Sequence, residues 1–269
     1  MAGRLGLLAG SGQLPPCIFQ AHPDAYCVTL KGMPHDLPNG AAREHRIEQL
    51  GALFDDLRAQ GVTRVVMAGA MARPELDPAI FDAETVTLAP AFKAALHHGD
   101  DGLLRHIVAL FEERGFGVIG AHELVAGLTA SAGLLCGPEP DDIAKADTER
   151  AAAVLSALSP LDLGQAAIVA GGLCLGIETL QGTDALLDMA AATQPERRPR
   201  APGVLVKQPK HGQDLRVDMP SIGPRTIEGA KRAGLGGIVI AAGGVLILDR
   251  DATLSAAKEA GIFLQARDV

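Results

Sequence analysis

Between Lys207 and Asp218 the sequence reads KQPKHGQDLRVD, and Lys207, Lys210, His211, Asp214, Arg216 and Asp218 all fall inside those twelve residues. Carboxylates suit a hard divalent cation, while Arg and Lys suit phosphate oxygens. A metal and cations aimed at one phosphate are the usual equipment of phosphoryl transfer and hydrolysis. The charges follow the apolar stretch GVLV (203–206), which places them at a strand end, and prolines and glycines bracket them. Binding and catalytic residues concentrate on irregular loops of this kind. Asp214, Arg216 and Asp218 alternate, so an extended backbone would turn all three to one side, two carboxylates with a guanidinium between them. The competing reading is a solvated charge run with no chemistry.

Four further stretches carry both a functional and a structural reading. Gly10-Ser11-Gly12-Gln13 lies between an expected strand and an expected helix, where backbone N–H groups can face an anion. Position 15 is Pro15, so the dinucleotide fingerprint is absent, and the loop also reads as a plain tight turn. HHGDDGLLRH (97–106) offers Asp100 and Asp101; one can cap the helix that starts there, and the other either meets a ligand or lies on a solvated face. GAHE places His122 and Glu123 at an expected strand end, where open α/β sheets bind ligands; a loop histidine near a hinge is the alternative. In ETLQGTDALL, Glu178 ends a strand, and Thr183 and Asp184 open a helix with Thr183 as its expected N-cap.

The elements that must hold these residues alternate. RLGLLA, AYCVTL and VTRVVMA read as buried strands. IEQLGALFDDLRAQ has helical spacing, with Ile47, Leu50, Leu53, Phe54 and Leu57 on one face and Gly61 as its stop. Helices are expected near 90–98 and 100–114, and a strand over FGVIGAHE. That alternation predicts an N-terminal Rossmann-like parallel α/β domain over 1–130. A Gly- and Pro-rich stretch, 131–142, reads as a linker. Residues 143–269 read as a C-terminal mixed α+β domain: a helix over 143–158, two strands joined at Gly171-Gly172, a helix from Thr183, two strands joined at Gly243-Gly244, then a helix near 251–260 and a last strand, IFLQA. The ligand site is expected between the two domains.

Composition narrows the classes. The 269 residues are 48% hydrophobic and 21% charged, enough for a real core; aromatics are 3%, so Leu, Val, Ile and Ala must build it. The net charge of −8 and the scarcity of aromatics argue against nucleic acid as a partner. Cys17, Cys27, Cys136 and Cys174 are scattered, which fits reduced thiols better than a zinc site or a disulfide framework. MAGRLGLLAGSG does not read as a signal peptide, and no apolar run reaches the roughly 18 residues of a membrane span. A cytoplasmic chain is the expectation.

Taken together, LGLLAGSGQLP, GDDGLLR, GAHE, QGTD and above all KQPKHGQDLRVDMPSIGPRTI resemble the UDP-2,3-diacylglucosamine pyrophosphatases of lipid A biosynthesis, the LpxI-type family. The resemblance runs through nearly the whole chain in the same order. It departs at Ser11, where the family has glycine, and at Gln181, where it has glutamate. The resemblance implies two α/β-type domains that hold a lipid-linked UDP-sugar, and hydrolysis of its pyrophosphate to UMP and 2,3-diacylglucosamine 1-phosphate (lipid X). It also implies Mg²⁺ (or Mn²⁺), a homodimer, and transient contact with the inner-membrane surface. The family's essential aspartate falls on Asp218. The expected catalytic set is Asp218, Asp214 and Arg216, with Asp218 and Asp214 on the metal. The expected substrate contacts are Gly10, Ser11, Gly12, Gln13, Asp100, Asp101, His122, Glu123, Thr183, Asp184, Lys207, Lys210, Gln213 and Thr226. Two other classes fit the same residues: a phosphohydrolase of soluble nucleotides, which would cleave UDP-sugars without acyl chains, and a non-catalytic nucleotide-sugar or lipid-binding protein.

Overall fold

A computed structural model describes residues 3–71, 75–96 and 99–268, without the side chains of 96 and 99–101. The chain divides into two compact units: residues 1–126 with 214–218, and residues 127–213 with 219–269.

The first unit holds β1 (Arg4–Ala9), α1 (Leu14–Ala21), β2 (Tyr26–Leu30), β3 (Ala42–His45), α2 (Leu50–Ala59), β4 (Val62–Ala68), α3 (Ala83–Leu96), α4 (Gly99–Glu113), β5 (Gly117–Val118) and α5 (Ala121–Leu124). Its described strands pair in parallel in the order β3-β2-β1-β4-β5, the doubly wound arrangement that the strand–helix alternation predicts. Leu50, Leu53, Phe54 and Leu57 of α2 are buried at helical spacing, as expected, and Gly61 follows with φ +71°; Ile47 packs against the same core from just before the helix. The core is not wholly aliphatic. Phe54, Phe111 and Phe116 cluster, with Phe54 and Phe111 edge to face at 5.2 Å, so three of the seven phenylalanines gather at one place.

The strand β3, AREH, carries no apolar signal and was not expected. It is an edge strand held by backbone pairing to β2, and its side chains feed a half-buried polar knot. Asp56 of α2 accepts the Tyr26 hydroxyl at 2.5 Å and meets His45 Nε2 at 2.7 Å, with Arg43 at 3.5 Å. Burial alone would raise the Asp56 pKa; the hydrogen bonds from Tyr26 and His45 outweigh it and bring it below the usual carboxylate value. The Tyr26 phenol is pushed up to about 12, first by burial and then by its bond to Asp56. Tyr26 is the sole tyrosine and the chain has no tryptophan, so alkaline ultraviolet titration reads this group alone. The folded protein should show almost no phenolate near pH 10.5, whereas protein denatured in urea should titrate near 10. A native midpoint near 10 would remove the knot.

The second unit holds β6 (Gly133–Cys136), α6 (Asp142–Leu158), β7 (Ala166–Ala170), β8 (Leu173–Ile177), α7 (Gly182–Ala191), β9 (Val204–Lys207), β10 (Ser221–Ile222), α8 (Pro224–Arg232), β11 (Gly237–Ala241), β12 (Leu246–Ile247), α9 (Arg250–Ala260) and β13 (Phe263–Arg267). The larger sheet runs β6-β13-β11-β9-β7-β8, with β9, β11 and β13 parallel and β6 and β7 antiparallel to their neighbours. Side chains alternate across it. Leu205 packs with Leu187, Ile227 and Ala257 of α7, α8 and α9, while Val204 and Val206 pack with Ala151 and Leu155 of α6.

Three local expectations are corrected. Residues 133–136, inside the expected linker, form β6, because GLLC pairs with β13 and closes one sheet edge. Gly243-Gly244 does not turn a hairpin: β11 stays in the large sheet, while β12 pairs in parallel with β10 in a separate two-stranded sheet. The expected strand FGVIGAHE is only Gly117–Val118, after which the chain enters α5. The other glycine pair behaves as expected. Gly171 and Gly172 take φ +54° and +78° between β7 and β8. The wholly buried Asp147 of α6 accepts both of their N–H groups, at 2.8 and 2.6 Å.

Candidate functional site

In the first unit, Gly10-Ser11-Gly12 follows β1 as expected, but its backbone is committed to a neighbouring loop. Gly10 N–H donates to Ala68 O at 2.8 Å, and Ser11 and Ala70 exchange N–H···O bonds at 3.0 and 2.8 Å. The two loops lie so close that a Cβ on Gly10 would sit 2.4 Å from Ala70 O. Glycine there is explained by close approach as well as by any ligand. Gly12 N–H donates to the carboxylate of Asp36 at 2.6 Å. Gln13 is the N-cap position of α1 and makes no side-chain cap. Thus the N–H groups of Gly10 and Ser11 are not turned toward an anion; Gly12 presents its own to one supplied by the chain.

His122 and Glu123 lie within α5 rather than at a strand end. Glu123 Oε1 accepts Gly120 N–H at 2.7 Å, which caps that short helix. His122 Nδ1 is buried with no partner among the described residues. Asp100 and Asp101 fall in the first turn of α4, and their side chains lie outside the described residues.

The segment expected to be extended is a single helical-type turn. Asp218 N–H and Val217 N–H both donate to Asp214 O, at 3.1 and 3.2 Å. The reason is local. Asp214 Oδ1 accepts Arg216 N–H at 3.0 Å, and an aspartate that binds the backbone two residues on favours a turn. Asp214 and Asp218 therefore stand four residues apart on a helical turn, a spacing that also shares one side. Arg216 does not stand between them as a loose cation. Its Nε and Nη2 hold both oxygens of Asp214, at 2.9 and 2.6 Å, and its Nη1 reaches Glu112 of α4 at 2.7 Å. The Arg216 hydrogen bond, more than burial opposes, holds the Asp214 carboxyl below the usual range. Val217 packs against the core of the first unit.

In the second unit the charged residues gather where β8 and β9 end. Lys207 and Glu178 are 6% and 8% exposed, so both charges are taken from water. Lys207 Nζ donates to Thr183 Oγ1 at 2.5 Å, and Thr183 Oγ1 donates to Glu178 Oε1 at 2.5 Å. The second Glu178 oxygen accepts Gln165 N–H at 3.1 Å. Thr183 is therefore not the N-cap of α7. Gln181 occupies that position, and the Thr183 hydroxyl faces Glu178 instead. Lys210 pairs with Asp162, and its N–H donates to Gln213 Oε1 at 2.9 Å, an oxygen that also accepts Gln165 Nε2. His211 N–H is tied to Ser159 Oγ at 2.6 Å. Asp184 pairs with Arg225 on an exposed face, and Thr226 Oγ1 accepts Gly223 N–H to cap α8.

Glu112, Asp162, Gln165 and Gln208 were not singled out in the sequence. The first three are partners across 104, 48 and 48 residues, which no local pattern reveals. Gln208 is buried and its Oε1 has no partner among the described residues. Among the described residues no group of three or more His, Cys, Asp or Glu is placed to hold a metal ion.

These features define a two-unit α/β protein in which Lys207, Lys210 and Arg216 each pair with a carboxylate of their own unit. A family model described as the LpxI N-terminal domain matches residues 4–128, and the LpxI C-terminal domain model matches 131–265. The chain belongs to the LpxI family. It is 38% identical over 273 aligned residues, covering 98% of each chain, to a protein of Caulobacter vibrioides named UDP-2,3-diacylglucosamine pyrophosphatase LpxI.

Proposed function

We propose that this chain hydrolyses UDP-2,3-diacylglucosamine, adding water across its pyrophosphate to give UMP and 2,3-diacylglucosamine 1-phosphate, a step of lipid A biosynthesis. The observation that carries the reading is the end-to-end likeness to the Caulobacter vibrioides protein of that name. The Asp214–Asp218 turn supplies the chemistry. Asp218 orients the attacking water and offers one carboxylate to Mg²⁺ or Mn²⁺. Such ions often take only one or two protein carboxylates and complete their shell with substrate phosphates and water, so one carboxylate would serve a metal carried with the pyrophosphate. Asp214 fits that role less well, since Arg216 engages both of its oxygens; its part is to orient Arg216. When bound, the metal would neutralise pyrophosphate charge and make water a better nucleophile. Lys207, Lys210 and Arg216 hold phosphate oxygens.

No helix among the described residues is long and apolar enough to cross a membrane. We place the enzyme in the cytoplasm as a homodimer that meets its lipid substrate at the inner-membrane surface. The test is UMP release from UDP-2,3-diacylglucosamine with Mg²⁺ and with EDTA. Chelation should lower the rate at least about a hundredfold, and Mg²⁺ should restore it. Equal turnover of UDP-sugars without acyl chains would favour a soluble-nucleotide phosphohydrolase. No turnover under any divalent ion would leave a binding protein.

A further inference from the structure

We infer that Glu178 is a positioning residue for this reaction, which fixes the Lys207 ammonium through the Thr183 hydroxyl; the inference rests on Lys207 serving the proposed phosphate site. An ammonium at 6% exposure needs a counter-charge and a fixed acceptor. Glu178 Oε1 supplies the charge 3.7 Å from Nζ, too far for a direct hydrogen bond. Thr183 Oγ1 fills the gap, accepting from Lys207 and donating to Glu178. A hydroxyl has one proton, so its donation to the carboxylate leaves its lone pairs toward the lysine. Three elements set the geometry: Glu178 follows β8, Thr183 is in the first turn of α7, and Lys207 ends β9. Glu178 is itself anchored, because its backbone N–H donates to Ala166 O at 2.7 Å and its Oε2 accepts Gln165 N–H. Both Glu178 oxygens are therefore occupied, Oε1 by the Thr183 hydroxyl and Oε2 by Gln165 N–H, so its effect passes through the lysine.

The experiment compares wild-type protein with Glu178→Gln, Thr183→Val, Thr183→Ser, Lys207→Met and the Glu178→Gln/Lys207→Met pair. Two readouts are taken: the ¹⁵N signal of the Lys207 ammonium, and Mg²⁺-dependent UMP release. In the wild type the hydrogen-bonded ammonium should give a slowly exchanging signal. Glu178→Gln and Thr183→Val should lose it, and Thr183→Ser should keep it. Glu178→Gln should lower kcat/KM about tenfold to a hundredfold, and the double variant should be no slower than Lys207→Met alone. Thr183→Ser should recover most of what Thr183→Val loses. Multiplying losses in the double variant, or an ammonium signal indifferent to Thr183→Val, would overturn the inference. A wild type that keeps the signal but hydrolyses nothing would instead overturn the proposed reaction, with the relay intact.

Discussion

Asp218→Ala should lower hydrolysis of UDP-2,3-diacylglucosamine by about a thousandfold or more while the chain remains folded. The size follows from the two tasks assigned to one carboxylate, holding a divalent ion against the pyrophosphate and orienting water; loss of a group that acts at the reacting atoms commonly costs several kcal/mol of transition-state stabilisation. The fold should survive, because the turn is closed by Asp218's backbone N–H on Asp214 O, a bond that alanine keeps. Circular dichroism and urea unfolding check the fold, and initial rates of UMP release check the chemistry. Residual activity within tenfold of wild type would move the essential carboxylate elsewhere.

Arg216→Ala is the second large effect. It should destabilise the first unit by about 2 kcal/mol and cut kcat/KM by about tenfold to a hundredfold, because it releases charge-assisted bonds to Asp214 and to Glu112. Arg216→Lys should recover little, since an ammonium cannot take both oxygens of Asp214 and reach Glu112 together. The stability loss should depend on pH. Asp214 is held below its unfolded value by Arg216, so its contribution is fully present above about pH 4 and disappears as pH falls through the lowered native value. The gap between wild type and Arg216→Ala in urea unfolding should be widest near neutrality and should narrow below pH 4. A gap that is constant from pH 7 to 3 would mean that the pair contributes packing rather than charge.

The sequence exposed what depends on near neighbours. The buried face of α2 follows from its spacing, the β7–β8 turn from two glycines in the left-handed region, and the first sheet from the alternation of strands and helices. It hid what depends on distant partners. β3 is polar because an edge strand needs only one paired side, and its Arg43 and His45 answer an aspartate on α2. Gly243-Gly244 resembles Gly171-Gly172, yet the following strand pairs with Ser221–Ile222 instead of folding back. Within the candidate site, the charges between Lys207 and Asp218 were legible as a cluster. Their shape was not, because Asp214 bends the backbone into a turn where alternation alone suggests a strand. Nor was their division, since Arg216 answers Glu112 while Lys210 answers Asp162.

That division has a consequence for how such a chain can be recombined. Five residues written deep in the second half of the sequence, Asp214 to Asp218, complete the first compact unit, and Val217 fills part of its core. A gene cut after Ala126 therefore yields an amino-terminal product without a piece of its own interior. A chimera of two relatives joined at that point would mate one parent's α4 with the other parent's arginine clamp. A working hybrid must draw 214–218 from the parent that supplies residues 1–126.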